Sequence, residues 1–110
     1  MAYDEELAER LRAQLSGGAV TEKKMFGGLA FLLNGNMAVA ASGQGGLLVR
    51  VDPAQTVELL AEAGAEEFDM GGRGPMKGWL RVAPDVLDDD ATLAAWVDRG
   101  VSYAGTLPSK

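Results

Sequence analysis

Leu29-Ala30-Phe31-Leu32-Leu33 and Met37-Ala38-Val39-Ala40-Ala41 are two apolar runs joined by Asn34-Gly35-Asn36. Asn-Gly accepts positive φ at both positions and so favours the tight turn of a β-hairpin. The alanines would ordinarily favour helix, but a helix cannot run through such a turn. A second glycine-rich turn, Ser42-Gly43-Gln44-Gly45-Gly46, leads into Leu47-Leu48-Val49-Arg50-Val51. From Val20 to Val51 the chain is therefore expected to form an antiparallel meander of three or four strands.

Before the meander, Tyr3, Leu7, Leu11 and Leu15 recur every four residues among acids and arginines. That spacing predicts an amphipathic helix of roughly four turns, with acids in its first turn and Gly17-Gly18 as its stop. After the meander, Asp52-Pro53-Ala54-Gln55 has the pattern of a helix start. Asp52 would be the N-cap, Pro53 the first helical residue, and Gln55 would reach back as in a capping box. Val57, Leu60 and Ala61 are expected on its buried face, with Gly64 at its end. Glu66 to Met70 predicts a short exposed strand with Phe68 inward. Met76-Lys77-Gly78-Trp79-Leu80-Arg81-Val82 alternates like a strand with one solvated face. Asp88-Asp89-Asp90 opens a final helix, with Leu93, Trp96, Val97, Val101 and Ala104 as its stripe and Pro108 after its end. The expected order is α-β(3-4)-α-β(2)-α. This is an α+β, two-layer fold with an antiparallel sheet, a single domain over residues 1–110.

Composition narrows the chemistry. The 110 residues contain no cysteine and no histidine, which removes thiol nucleophiles, disulfides, Cys/His zinc sites and imidazole catalysis together. Fifteen glycines are about twice the usual share, yet they fall at turns. Gly71-Gly72-Arg73-Gly74-Pro75 lacks the Gly-Lys-Ser/Thr ending of a phosphate-binding loop and precedes a strand. Three adjacent aspartates cannot easily converge on one ion, and a helix start accounts for them. No catalytic residue, metal ligand or cofactor is expected. Lys77 beside Trp79 is the best candidate nucleophile, and nothing in the sequence desolvates it. The formal net charge of −6 repels duplex nucleic acid on average, so direct binding to it is disfavoured. The longest apolar run, Leu29 to Leu33, is too short to span a membrane. The acidic start, Met1 to Glu6, has neither a secretory signal nor an arginine-rich transit peptide, and a cytoplasmic protein is expected.

Charge segregation is the remaining signal. Lys23, Lys24, Arg50, Arg73, Lys77 and Arg81 belong to the sheet or its turns, while the terminal helices are acid-rich. Lys23, Lys24, Arg73 and Lys77, with Trp79 nearby, are the candidate ligand- or partner-binding residues. Together they would suit a phosphate, an acidic peptide or a nucleic-acid backbone. The other reading is that these cations balance acids and keep strand edges from pairing with other chains. Both stand open at this level.

Lys23-Lys24-Met25-Phe26-Gly27-Gly28, the turn around Asn34-Gly35-Asn36-Met37, and Leu48-Val49-Arg50-Val51 resemble the N-terminal domain of the TfoX/Sxy family. Phe68 after an acidic pair and Pro75-Met76-Lys77-Gly78-Trp79-Leu80-Arg81-Val82 complete the resemblance, which covers essentially the whole chain. It implies a two-layer fold of the α-β(3)-α-β(2)-α kind, similar to secretion-chaperone-like domains. Named members look like regulators of natural competence that work with a transcription activator and carry a second, C-terminal helical domain; a stand-alone copy of the first domain is expected here. The resemblance thus implies a small, non-catalytic regulatory module acting through protein–protein interaction, with a transcription regulator as one class of partner and a homodimer as one form. The alternative is a binder of an anionic small ligand or nucleic-acid backbone through the basic sheet surface.

Overall fold

The computed structural model describes residues 5–15, 20–25, 28–43, 45–62, 64–69 and 75–108, with backbone alone at Met25, Phe68, Asp69, Pro75, Met76 and Lys77. Helix α1 (Glu5–Leu15) is followed by four strands: β1 (Val20–Met25), β2 (Gly28–Leu33), β3 (Asn36–Ala41) and β4 (Leu47–Arg50). A 3-10 turn (Pro53–Gln55) runs into the short helix α2 (Thr56–Leu59). Then come β5 (Ala65–Asp69), β6 (Pro75–Val82), a one-turn helix α3 (Pro84–Leu87) and the long helix α4 (Asp90–Ala104). The strands form one antiparallel sheet in the order β1-β2-β3-β4-β6-β5.

The hairpin at Asn34-Gly35 forms as its residues require, with φ of 54° and 82° at the two positions. A bulge lies further along the same pair of strands. Phe31 pairs with Val39 but Leu32 pairs with Met37, so Ala38 is the extra residue. Helices α1 and α4 cover one sheet face. Leu7, Leu11, Leu93, Trp96 and Val97 meet Leu29, Phe31, Val39, Leu47, Val49, Leu80 and Val82 in the main core. The opposite face carries a smaller apolar cluster, Ala30, Met37, Ala40 and Leu48, with Leu32 and Trp79 half-buried against it. Period-2 alternation puts each strand's neighbours on opposite faces, and here both faces of β3 are buried.

Several expectations change in detail. The meander has four strands, one more than the resemblance implies. The Asp52 cap forms, its carboxylate accepting from the Ala54 amide at 2.9 Å, but Gln55 makes no capping bond. Leu60 packs on the core as expected, but Val57, also expected inside, is 81% exposed and Leu59 packs there instead. Thr56 turns inward with Leu59 and Leu60, its hydroxyl accepting from the Gly78 amide at 3.2 Å, and in a single helical turn this leaves Val57 on the outer side. Ala61 is exposed as well. On α4, Val101 is half-buried and Gly100 takes the fully buried place beside Val97 and Ala104. Tyr3, Gly17, Gly18 and Met70 lie outside the described residues, as does the side chain of Phe68.

Candidate functional site

Strands β4 and β6 are neighbours in the sheet although β5 separates them in sequence, and their register sets Arg50 opposite Trp79. The guanidinium of Arg50 lies over the Trp79 ring at 5.1 Å from its centroid. It also lies over the ring of Tyr103, from the C-terminal part of α4, at 5.8 Å. A cation within about 6 Å of an aromatic centroid is attracted by the ring quadrupole. Here two rings from different layers of the fold hold one arginine. All three side chains are half-buried.

Local backbone geometry sets this arrangement. Gly78 adopts φ of +86°, and its carbonyl accepts from the Val51 amide at 2.8 Å. Its own amide donates to the Thr56 hydroxyl at 3.2 Å. The residues just before Trp79 and just after Arg50 are thereby tied together, with the 3-10 turn against them. A Cβ at Gly78 would lie 3.2 Å from Pro53 Cγ and 3.2 Å from the Val51 carbonyl oxygen.

The other described arginines are committed to carboxylates. Arg10 pairs with Asp90 at 2.8 Å, Arg81 with Glu66 at 3.2 Å, and Arg99 with Glu62 at 2.7 Å. Arg12 on α1 takes both oxygens of Glu22 on β1, at 2.8 and 2.9 Å, and also meets Glu9. The hydrogen bond from Arg12 holds the Glu22 carboxyl below the usual carboxylate range, and the same contact raises Arg12. Arg50 makes no ion pair or hydrogen bond with a described residue; its partners are the two rings.

The sequence candidates do not gather around one point. Lys23 and Lys24 are exposed on β1, at the sheet edge. Lys23 pairs with Ala30 and shares the face of the smaller cluster, whereas Lys24 pairs with Leu29 and turns to the helix-covered face. Trp79 stands four strand spacings from β1, about 19 Å at the usual separation. Arg73 and the side chain of Lys77 lie outside the described residues. In the sequence Arg50 is one of several sheet cations, and no signal there singles out Tyr103.

Beside Tyr103 lies an open cleft of about 310 Å³, lined among others by Asp52, Asp98, Arg99 and Ser102. Arg50 and Trp79 are not part of its lining. The triple aspartate is divided between two tasks. Asp89 caps α4 by accepting from the Ala91 amide at 3.2 Å, and Asp90 pairs with Arg10. Among the described residues no group of acids is placed to hold a metal ion, and no helix is long and apolar enough to cross a membrane.

The fold and this surface define a small α+β module whose notable polar feature is an arginine in contact with two aromatic rings where the inner strands β4 and β6 pair. Residues 10–104 match the TfoX N-terminal domain, and the chain belongs to that family. No curated protein matches it.

Proposed function

We propose that this domain is a non-catalytic regulatory module that works by docking a partner protein. Membership of the TfoX N-terminal domain family carries the reading. The charge distribution supports it: among the described residues Lys23, Lys24 and Arg50 have no carboxylate partner, in a protein of formal net charge −6. They attract an acidic surface locally, while the chain as a whole repels polyanions. Strand β1 is also a sheet edge, the kind of element to which a partner strand can add.

The test is a pull-down from native lysate at physiological salt. The bait is the full chain, compared with a variant carrying Lys23→Ala, Lys24→Ala, Arg73→Ala and Lys77→Ala. A protein retained by the wild type and lost with the variant supports docking through the basic sheet surface. A wild-type chain that captures no protein and stays monomeric overturns the reading. The unpaired lysines on β1 favour a second reading, a binder of an anionic small ligand or nucleic-acid backbone. Binding to an oligonucleotide that weakens steeply with salt would support it; none at low salt would remove it.

A further inference from the structure

We infer that Arg50, held between Trp79 and Tyr103, is the anchor of this docking surface and receives a carboxylate from an acidic segment of the partner protein. The inference rests on the interaction-module reading and adds which residues make the contact and what the partner presents. Its first support is the contrast in commitment. Arg10, Arg12, Arg81 and Arg99 are each held by a carboxylate of this chain, although Arg10, Arg81 and Arg99 are at least as buried by their side-chain exposures as Arg12. Among the described residues, no carboxylate of this acid-rich protein pairs with Arg50.

The second support is geometric. The guanidinium carbon lies 5.1 and 5.8 Å from the two ring centroids, and its N–H groups make no hydrogen bond to a described residue, so they keep their capacity to donate. A carboxylate matches those donors in the forked, two-bond arrangement. Clamping by Trp79 and Tyr103 also fixes the rotamer before a ligand arrives, so less side-chain entropy is lost on binding. Arg, Trp and Tyr are the residue types that dominate binding energy in protein interfaces, and they do so as desolvated clusters. Here one arginine meets one ring of each kind, and all three side chains are half-buried.

The surroundings indicate the kind of partner. Trp79 and Leu32 pack at the rim of the smaller apolar cluster, so an apolar side chain next to the partner's acid finds a surface to cover. Asp52 and Asp98 line the cleft beside Tyr103 and repel a second anion there. A single carboxylate with an apolar neighbour suits this pattern better than a run of phosphates, which a chain of net charge −6 repels.

The experiment uses the full ¹⁵N-labelled chain and follows the Arg50 Nε–H and Trp79 indole N–H resonances by NMR. The probe is a capped peptide in which glutamate stands between leucines, set against its glutamine counterpart and a single-stranded oligonucleotide. The glutamate peptide is expected to shift both resonances saturably and to bind at least about tenfold tighter than the glutamine peptide, the loss that follows when a charge-assisted bond is removed. Arg50→Lys keeps the charge but not the fork, and should weaken peptide binding by a similar factor with its melting temperature little changed. Absence of any shift up to about 10 mM peptide, far weaker than a useful anchor, overturns the inference. So does equal binding of the two peptides, or an oligonucleotide that binds more tightly and is lost with salt. If the wild type captures a partner from lysate and Arg50→Lys retains it undiminished, the Arg50 anchor falls while the module reading stands. If the peptide binds as expected while the wild type captures no protein and stays monomeric, the module reading falls and Arg50 stands as a carboxylate receptor.

Discussion

A methyl group on the Cα of Gly100 would stand 2.5 Å from the carbonyl oxygen of Ala38. Ala38 is the extra residue of the β2–β3 bulge, and its carbonyl approaches α4 where the helix crosses the sheet. Gly100 is buried, and the same methyl would also lie 2.9 Å from Val39 Cγ1. Gly100→Ala would gain about 1 kcal/mol in helix propensity. Backbone lies on the other side of the contact, so the helix must lift or the bulge must shift, at about 1–3 kcal/mol for overpacking. The expected outcome is a net loss of stability of up to about 2 kcal/mol, read from the midpoint of urea unfolding. A stabilised variant would show that α4 does not depend on this approach.

Much of this packing is legible in the sequence, because short-range signals determine it. Asn34-Gly35 requires a hairpin, Asp89 caps α4, and the apolar spacing of α1 and α4 selects the faces that meet the sheet. The bulge at Ala38 is not legible, because it arises from the register between two strands and not from either alone. Val57 shows another limit. Its spacing with Leu60 fits an α-helix from Pro53 onward, but the one-turn α2 faces Thr56, Leu59 and Leu60 inward and leaves Val57 outside. Val57→Lys should therefore change stability by less than about 0.5 kcal/mol, the range of surface substitutions away from special features. A larger loss on thermal melting would place Val57 in the core after all.

Gly78 is held at φ of +86° with its amide and carbonyl both hydrogen-bonded. An alanine there pays about 1–2 kcal/mol for the left-handed backbone and presses on Pro53 and the Val51 carbonyl. Gly78→Ala should destabilise the domain by about 1–3 kcal/mol. It should also move the Trp79 ring relative to Arg50, changing Trp79 fluorescence while buried Trp96 reports only the fold. Unchanged stability would mean that the turn can relax without cost.

The candidate site was less legible than the fold. Trp79 is a candidate in the sequence while Arg50 is only one of six sheet cations, and their pairing depends on β4 lying beside β6 across an intervening strand. Tyr103 belongs to a helix whose pattern speaks for its buried stripe, and its ring reaches Arg50 only in the folded chain. Charge counting found the cations but grouped Lys23 with Trp79, which the strand order separates. It grouped Lys23 with Lys24, which period-2 alternation sends to opposite faces.

Asp89 does more than fill an acidic first turn. Its carboxylate accepts from the Ala91 amide and from the Thr92 hydroxyl, the latter at 3.0 Å. Asp89→Ala leaves these donors at the start of α4 without their acceptor and should cost about 1 kcal/mol. Asp90, 92% exposed in its pair with Arg10, should cost less when changed to alanine. Equal losses for the two variants in parallel denaturant titrations would refute this division of roles.

Arg12 joins α1 to the edge strand β1 through both oxygens of Glu22, and the sign of its pH dependence follows from that contact. The hydrogen bond from Arg12 lowers the Glu22 carboxyl in the folded state, whereas in the unfolded chain it titrates near an ordinary value of about 4.3. The folded form therefore binds fewer protons in the acid range. The contribution of the pair is fully present above that unfolded value and is lost as pH falls through the folded one. Wild type should accordingly be more stable than Glu22→Gln at pH 7, and the two should converge on acidification below about pH 4. Both side chains are more than a third exposed, so the difference is small and should shrink further in high salt. A gap that persists unchanged at pH 3 or in 1 M salt would mean that Glu22 acts through packing and not through its charge.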